Sequence, residues 1–588
     1  MGKYLESNQT FVNPYNFVSI ESNPPKRGKR VKGKFTGFIE CELKPLTPIF
    51  IPNTSNDKTF STVDDEIKSY DFYSYNNLKN QKDPKPPKPV IPGSEIRGVI
   101  RNIYETITNS CLSSIDEEKI LYKRTPKPAM PGIVSFEQNQ WIIKPCDRKK
   151  IKKNNVNIQN FKEGERISLN SLNLGQGIGY FHHGESFINK KYESIFVPNG
   201  KDPIKIDEKT VENLIKNYKV YKEDNPQRDS KHNQYKKVGE MTINRIRNEG
   251  ALVYYSILNL GNKRLIYLSP ACIGREVFYN NLKSLIGKHS PCDKKEELCP
   301  ACQVFGFANK EDSISSKVRF TDAQLSNDNI KLEELYSKEP IVVKEQASPK
   351  LTATEFYLKK PLNIKLGLWN YDYALSFENN QYQVQIDYKP EIKGRKFYWH
   401  HNNFKDLNLI KVEKGTKRNV CIRPLINPEC KFDFKVYFNN LTENELKNLI
   451  WSLNFGARKD NAHKIGLGKP LGLGSVKINV IKVKIRKLEN SNEKVIYKFE
   501  DYQLDNNFIP ETKEEILNEL LIITNYKEAP TNISYPLNEN SDKTFEWFVA
   551  NRSIKSTGTK PVINQVLPEI KKDQKIKKYK FINNNQKY

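Results

Sequence analysis

The chain has 588 residues, with 96 Lys and Arg against 69 Asp and Glu, a formal net charge of +27. It is long enough for three or four domains, and no apolar run approaches the roughly 18 residues of a membrane span, which excludes a helical membrane protein. The first residues carry no signal-peptide pattern, and nine cysteines, odd in number with three clustered, suit a reducing compartment rather than a disulfide framework; a cytoplasmic location is expected.

The excess positive charge points to a polyanionic partner, because each neutralised phosphate releases counterions. A lysine-biased composition, with Asn and Ile also abundant, would give the same sum without a partner. Residues 1–34 end in Pro24-Pro-Lys-Arg-Gly-Lys-Arg-Val-Lys-Gly-Lys34 and read as a basic arm. Gly37, Ile39, Cys41 and Leu43 then alternate with Phe38, Glu40, Glu42 and Lys44, the period of a strand with one buried face. A long polar loop follows from Pro52 to Val90, holding Asn53-Thr-Ser-Asn-Asp57, Val63-Asp64-Asp65-Glu66 and the stiff Pro84-Lys-Pro-Pro-Lys-Pro89. Loops of this length are functional or disordered.

Ile91-Pro-Gly-Ser-Glu-Ile-Arg-Gly-Val-Ile-Arg101 opens a helix in which Ser94 is the expected N-cap. Ile96, Val99, Ile100, Ile103 and Ile107 form its apolar stripe, with Arg97 and Arg101 on a shared face away from it. An arginine in a first turn opposes the helix dipole, so a phosphate held there would explain Arg97. Residues 112–265 read as an inserted region with a basic cluster (Arg148 to Lys153) and a short helix near 209–221. Its His182 and His183 have no nucleophile or metal partner in sequence, which favours a structural role.

Residues 286–307 contain His289, Cys292, Cys299 and Cys302 in the spacing His-x2-Cys-x6-Cys-x2-Cys. That offers four ligands, enough for a closed tetrahedral structural zinc site. Free thiols in a small loop are the alternative, and the clustering counts against them. A strand is expected near 317–325, followed by a polar excursion from Lys344 through Lys350 to Glu355. Lys393-Gly-Arg395-Lys396-Phe-Tyr-Trp-His400-His401-Asn402 interleaves cations, rings and histidines. It fits base stacking and phosphate pairing as well as it fits a packed strand.

Phe432, Phe434, Val436 and Phe438 alternate as a strand, and Thr442-Glu-Asn-Glu445 is a capping box opening a helix that ends before Gly456. Then comes Ile465-Gly466-Leu-Gly468-Lys469-Pro-Leu-Gly472-Leu-Gly474, flanked by Lys464 and Lys477. Four glycines let backbone N–H groups approach a sugar-phosphate chain, although a glycine run is also the mark of a flexible surface turn. Val476, Ile478 and Val480 hold one strand phase and Ile481, Val483 and Ile485 the other, so a bulge is expected where they meet. Residues 487–588 read as a C-terminal extension with one helix near 512–523 and a lysine-rich tail.

The element order, β-α-β-β-α-β, predicts an α+β, ferredoxin-like (RRM-like) core built from 35–111 and 266–486, with large insertions, a zinc knuckle and a thumb-like excursion. Four pieces carry a family resemblance: Ile91-Pro-Gly-Ser-Glu-Ile-Arg-Gly-Val-Ile-Arg101, Cys299-Pro-Ala-Cys-Gln-Val-Phe-Gly306, Val318-Arg-Phe-Thr-Asp-Ala323 and the glycine loop. In this order they resemble the RAMP superfamily of CRISPR-associated proteins, the long-chain kind that forms the backbone of type III effector complexes. Gly394 to His401 is similar to a long-chain subgroup of the same family. The resemblance covers about 31–110 and 285–485. It implies an antiviral subunit that binds guide RNA along its sheet and first helix, splays bases with a thumb and assembles with other effector subunits on a complementary target RNA. RNA contacts are then expected at Ser94, Arg97, Arg101, Lys350, Arg395, Lys396, Lys464, Lys469 and the four loop glycines. Some relatives cut target RNA with an Asp after the first strand, for which Asp57 is the nearest match and Asp64 and Asp65 the alternatives. A ribose 2′-OH would attack the adjacent phosphate, helped by the carboxylate alone or by magnesium. Competing readings are an endoribonuclease that trims guide precursors with His400, His401 or His463, and a non-catalytic RNA-binding scaffold subunit.

Overall fold

The computed structural model describes residues 3–582 apart from 63–66, 126, 153–160, 184–190, 224–240, 262, 327–329, 347–349, 403, 405–411, 413–417, 492–493, 542, 556–560 and 572. The chain is mixed α and β, with more strand than helix. Phe35–Pro45 (β1) turns Gly37, Ile39, Cys41 and Leu43 inward, as alternate positions of a pleated strand do. Gly93–Ile107 (α1) buries Ile96, Ile100, Ile103 and Ile107. The expected strand near 317–325 is two short ones, Val318–Phe320 (β2) and Ala323–Leu325 (β3). Phe432–Leu441 (β4) leads into Glu443–Asn454 (α2), which Thr442 and Glu445 open with a reciprocal capping box. The helix stops where Phe455 and Gly456 turn left-handed, with φ of 54° and 65°. Ser475–Ser491 (β5) and Lys494–Asp501 (β6) form a long hairpin.

These strands join one sheet in the order His463–Lys464, β5, β1, β4, β3, Val90–Ile91, with β2 also on β4 and β6 also on β5. β1 lies antiparallel between β4 and β5, and both β2 and β3 run antiparallel to β4. The β5 register on β1 shifts between Val480 and Lys482, where the two apolar phases meet. One extra residue there keeps Val476 and Ile478 on the same buried face as Val483 and Ile485. α1 and α2 cover that face: Ile96, Ile100, Leu446 and Leu449 pack on Ile39, Leu43, Phe434 and Val436. Each such side chain contributes about 1.5–3 kcal/mol on burial.

The inserted region builds a sheet of its own. Its strand order is 263–269, 251–260, 130–137, 140–152, 192–198, 178–182, 166–168, with 204–206 also paired on 140–152. Helix Glu208–Glu223 contributes Val211 and Leu214 to the core of that sheet, with Val134, Trp141 and Val253. His182 is held between the Glu163 carboxylate (2.7 Å) and the Pro270 carbonyl (2.9 Å).

Residues 1–34 are not a single arm. Lys3–Phe11 pairs with Ile576–Ile582 near the end of the chain, and Tyr15–Val18 pairs with Arg395–Tyr398. Phe11, Tyr15 and Val18 bury with Trp547, Tyr579 and Phe397, and this apolar content outweighs the basic run beyond it. The basic stretch lies on the cysteine loop: Arg27 donates to the Lys288 carbonyl (3.0 Å) and Lys29 pairs with Glu296 (3.2 Å). Among the described residues no helix is long and apolar enough to cross a membrane.

Candidate nucleic-acid interface and metal centre

The start of α1 already holds an anion. Pro92 occupies the N-cap position, Ser94 sits exposed within the first turn, and the Gly93 N–H donates to the Asp322 carboxylate at 2.8 Å. Ser94 is therefore not the cap. The carboxylate arrives from the loop between β2 and β3, a partner that helix periodicity could not reveal. Arg97 turns away from the helix start and donates to the Phe305 carbonyl (2.5 Å). Arg101 donates to Glu105 (2.7 Å), to the Gly306 carbonyl (3.1 Å) and to the Cys302 sulfur (3.2 Å). Arg395 is buried beneath them, 3.3 Å from Glu105 and 3.2 Å from the Cys111 carbonyl. Of these expected phosphate contacts, Arg101 and Arg395 instead brace the cysteine loop.

Four cysteines meet there: Cys111, Cys292, Cys299 and Cys302, all buried, with their sulfurs within 4.8 Å of one another. The Cys299–Cys111 and Cys111–Cys302 sulfur separations are 3.5 and 3.7 Å. A tetrahedron of thiolates each ~2.3 Å from one ion has edges of about 3.8 Å, so the donor set fits a metal. Backbone N–H groups of Cys299 and Cys302 donate to the sulfurs of Cys292 and Cys299, at 3.3 and 3.4 Å. Hydrogen bonds with Cys111, Cys292 and Cys302 draw the Cys299 thiol well below its ordinary pKa. Arg101 and Arg395, bridged by Glu105, stand where the negative charge of a tetrathiolate would lie.

The fourth donor differs from the sequence expectation. His289 faces Asn109, with Nε2 3.1 Å from Oδ1, and burial, with Arg395 nearby, pushes its pKa down to about 4. Cys111 takes its place, from just beyond the C-terminal end of α1. The signal available was an odd cysteine directly after a resembling segment, but 181 positions separate it from Cys292, and spacing rules do not reach that far.

The glycine loop is packed rather than floppy. All four glycines have positive φ, between 73° and 97°. A Cβ on Gly466 would sit 2.3 Å from the Phe50 carbonyl oxygen, and one on Gly474 only 1.9 Å from that of Ile465. Leu467 and Gly474 N–H groups donate to the carbonyls of Phe50 and Pro48, both at 2.8 Å, tying the loop to the end of β1. Lys464 donates to the Leu473 carbonyl (3.1 Å), and burial lowers its pKa to about 7. Burial also lowers the pKa of Lys469, with Glu95 at the start of α1 opposing the shift. Neither lysine has an ion-pair partner among the described residues.

The histidines near this loop are inward. His400 spans the Ser475 hydroxyl (2.9 Å) and the Ala462 carbonyl (3.1 Å), and His463 reaches the Leu453 carbonyl (2.8 Å). His401 lies against Gly472, and burial pushes its pKa down to about 3. Lys396 sits over the Tyr15 ring at 3.9 Å, where burial lowers its pKa to about 8. Within the 393–402 stretch, Arg395–Tyr398 is thus a packed strand, with Arg395 and Phe397 buried. Lys350 is exposed, beside residues 347–349 that lie outside the described set.

Asp57 is exposed and pairs with Lys68 at 3.0 Å, a hydrogen bond that lowers its pKa and keeps it ionised. Its loop is anchored, since Lys68–Tyr70 pairs with Val420–Ile422 and Asp71 forms a buried pair with Arg423 (3.0 Å). Asp64 and Asp65 lie outside the described residues.

The model of the RAMP superfamily matches residues 42–477, from within β1 to the start of β5. The chain therefore belongs to the RAMP superfamily. Membership places it among CRISPR-associated, RNA-binding proteins that act in multi-subunit complexes. No individual curated protein is similar enough in sequence to be matched to it.

Proposed function

We propose that the chain is a guide-RNA-binding backbone subunit of a type III CRISPR effector complex, working in the cytoplasm with other subunits and a complementary target RNA. The observation that carries this reading is the glycine loop with Lys464 and Lys469, two cations partly removed from water and, among the described residues, without an ion-pair partner. Buried cations are stable when paired, and a ribose phosphate supplies the missing charge. The antiparallel order β5-β1-β4-β2 beneath two helices supports a ferredoxin-like core, with the 112–265 region inserted and 487–588 appended. The four cysteines support a structural zinc ion, which would tie the end of α1 to the 292–302 loop. To test the assignment, co-purified RNA is sequenced. Guide RNAs sharing one repeat-derived segment are expected, and a random cellular mixture would refute the assignment.

Target cleavage is proposed for Asp57, as the carboxylate that positions the attacking 2′-OH or takes its proton. Supplying a complementary labelled target with magnesium tests the role. Asp57→Asn should cut cleavage by about 10²–10⁴-fold while leaving RNA bound. Cleavage that persists in this variant would remove Asp57 from the chemistry. The inward His400 and His463 favour this reading over guide-precursor trimming.

A further inference from the structure

One strand of the inserted sheet crowds Arg148, Lys149, Lys150 and Lys152 into a single short stretch, and no carboxylate answers them. Gln140–Lys152 runs antiparallel to Tyr192–Pro198, with Arg148 opposite Phe196, Lys150 opposite Ser194 and Lys152 opposite Tyr192. Alternate residues of a strand share a face, so Arg148, Lys150 and Lys152 lie on one side and Lys149 on the other. Lys149 is engaged there, donating to the Leu174 carbonyl at 3.0 Å. All four are exposed, and none has an ion-pair partner among the described residues. The acids of these two strands lie on the Lys149 side. Asp147 stands opposite Val197, and buried Glu193 stands opposite Ile151, 3.3 Å from His183. The Arg148 row continues through Phe196 and Tyr180 to Arg166, again without an acid. One lysine is enough to blunt a strand edge against stray pairing, and this run exceeds that need.

We propose that Arg148, Lys150 and Lys152 hold the phosphodiester backbone of an extended single-stranded RNA, with an unpaired base stacked on Tyr192. Side chains at alternate strand positions are about 6.6 Å apart, close to the step between successive phosphates of an extended nucleic-acid strand. Three cations at that pitch therefore match three phosphates in a row. Arg148 is aimed by its own contacts: its Nε donates to the Ser194 hydroxyl at 2.9 Å, and its guanidinium lies 5.7 Å over the Tyr254 ring. Tyr192, the neighbour of Lys152, is 42% exposed, and a ring beside a line of cations is how single strands are held without base readout. A protein partner fits less well, because interface cores are depleted of lysine. The line belongs to the inserted sheet and uses no residue of the glycine loop. The inference therefore stands if the guide-RNA assignment of that loop fails.

The test uses the full chain stripped of bound RNA and a long fluorescein-labelled oligouridine. Lys150→Gln with Lys152→Gln should weaken binding and make the slope of log affinity against log salt shallower by about 1.4 units, 0.7 for each lost phosphate contact. Lys150→Arg with Lys152→Arg should keep the parent slope, which separates charge from misfolding. The same decrement should appear in a Lys469→Ala background; its disappearance there would merge the two sites and overturn a separate one. Photocrosslinking then names the source of the strand. With 5-iodouridine placed in either the guide or a complementary target, a crosslink at Tyr192 from one of them upholds the proposal and says which RNA lies there. Unchanged affinity and slope in a folded double-glutamine variant, or crosslinks only elsewhere, would overturn it. So would loss of a bound acidic protein from that variant with RNA affinity intact, which would make the line a protein-docking surface.

Discussion

Replacing Cys111 by Ser separates the two candidate donor sets. Cys111 and Cys299 are 188 residues apart, and a metal held by both closes that segment of chain. By the chain-entropy relation for a cross-link, a loop of this length contributes about 5 kcal/mol at 25 °C. Among the described residues the His289 side chain makes one hydrogen bond, with Asn109, so His289→Ala should cost about 1 kcal/mol. The assay is guanidinium unfolding with and without a strong chelator, alongside metal analysis of the purified proteins. The parent and His289→Ala should each carry one zinc. Cys111→Ser should carry none or hold it weakly, and its unfolding midpoint should be low already and barely move on chelation. Metal lost from His289→Ala and retained by Cys111→Ser would refute the four-cysteine centre. So would equal midpoints for Cys111→Ser and the parent.

Three further outcomes follow from two glycines and Lys464. Gly474→Ala should destabilise by at least about 1–3 kcal/mol, seen as a lowered unfolding midpoint, because φ is 79° and the new Cβ meets the Ile465 carbonyl. Gly98→Ala, in α1 with open space around it, should stabilise by up to about 1 kcal/mol. Lys464 loses its proton near pH 7 in the free protein, and a neighbouring phosphate raises that value. RNA affinity should therefore be level below pH 7 and fall between pH 7 and 9, by up to about tenfold per unit. Lys464→Met should flatten the profile; an unaltered profile in that variant would place RNA elsewhere.

β1, β4, β5 and the two helices were legible because each carries a period of apolar residues, whereas β6 fell in a stretch read as a C-terminal extension. Alternation at Ile39, Cys41 and Leu43 and the Thr442–Glu445 capping box needed no partner to be read. The bulge in β5 was visible as a change of phase between Val480 and Val483. What stayed hidden depends on contacts distant in sequence. Asp322 caps α1 from a loop 229 residues away, and Cys111 completes a cluster whose other members lie far beyond it. Arg395 looked like a phosphate ligand because an arginine without a local acid partner reads as free, whereas Glu105, four residues beyond Arg101 on the same helix, was a local partner open to reading. Carbonyl, sulfur and Glu105 partners turn both arginines into supports. The inserted sheet escaped because its long strands carry charged runs, such as Arg148 to Lys150, that interrupt alternation.

The account rests on RNA backbone being held at the glycine loop, and the salt dependence of RNA affinity for Lys469→Ala tests that most directly. Lys469 is half-buried without an ion-pair partner among the described residues, so its loss removes a phosphate contact and little else. The variant should bind guide RNA and unrelated single strands more weakly to the same degree. Its slope of log affinity against log salt should be shallower by roughly one unit. An unchanged affinity and slope in a folded Lys469→Ala protein would contradict the account.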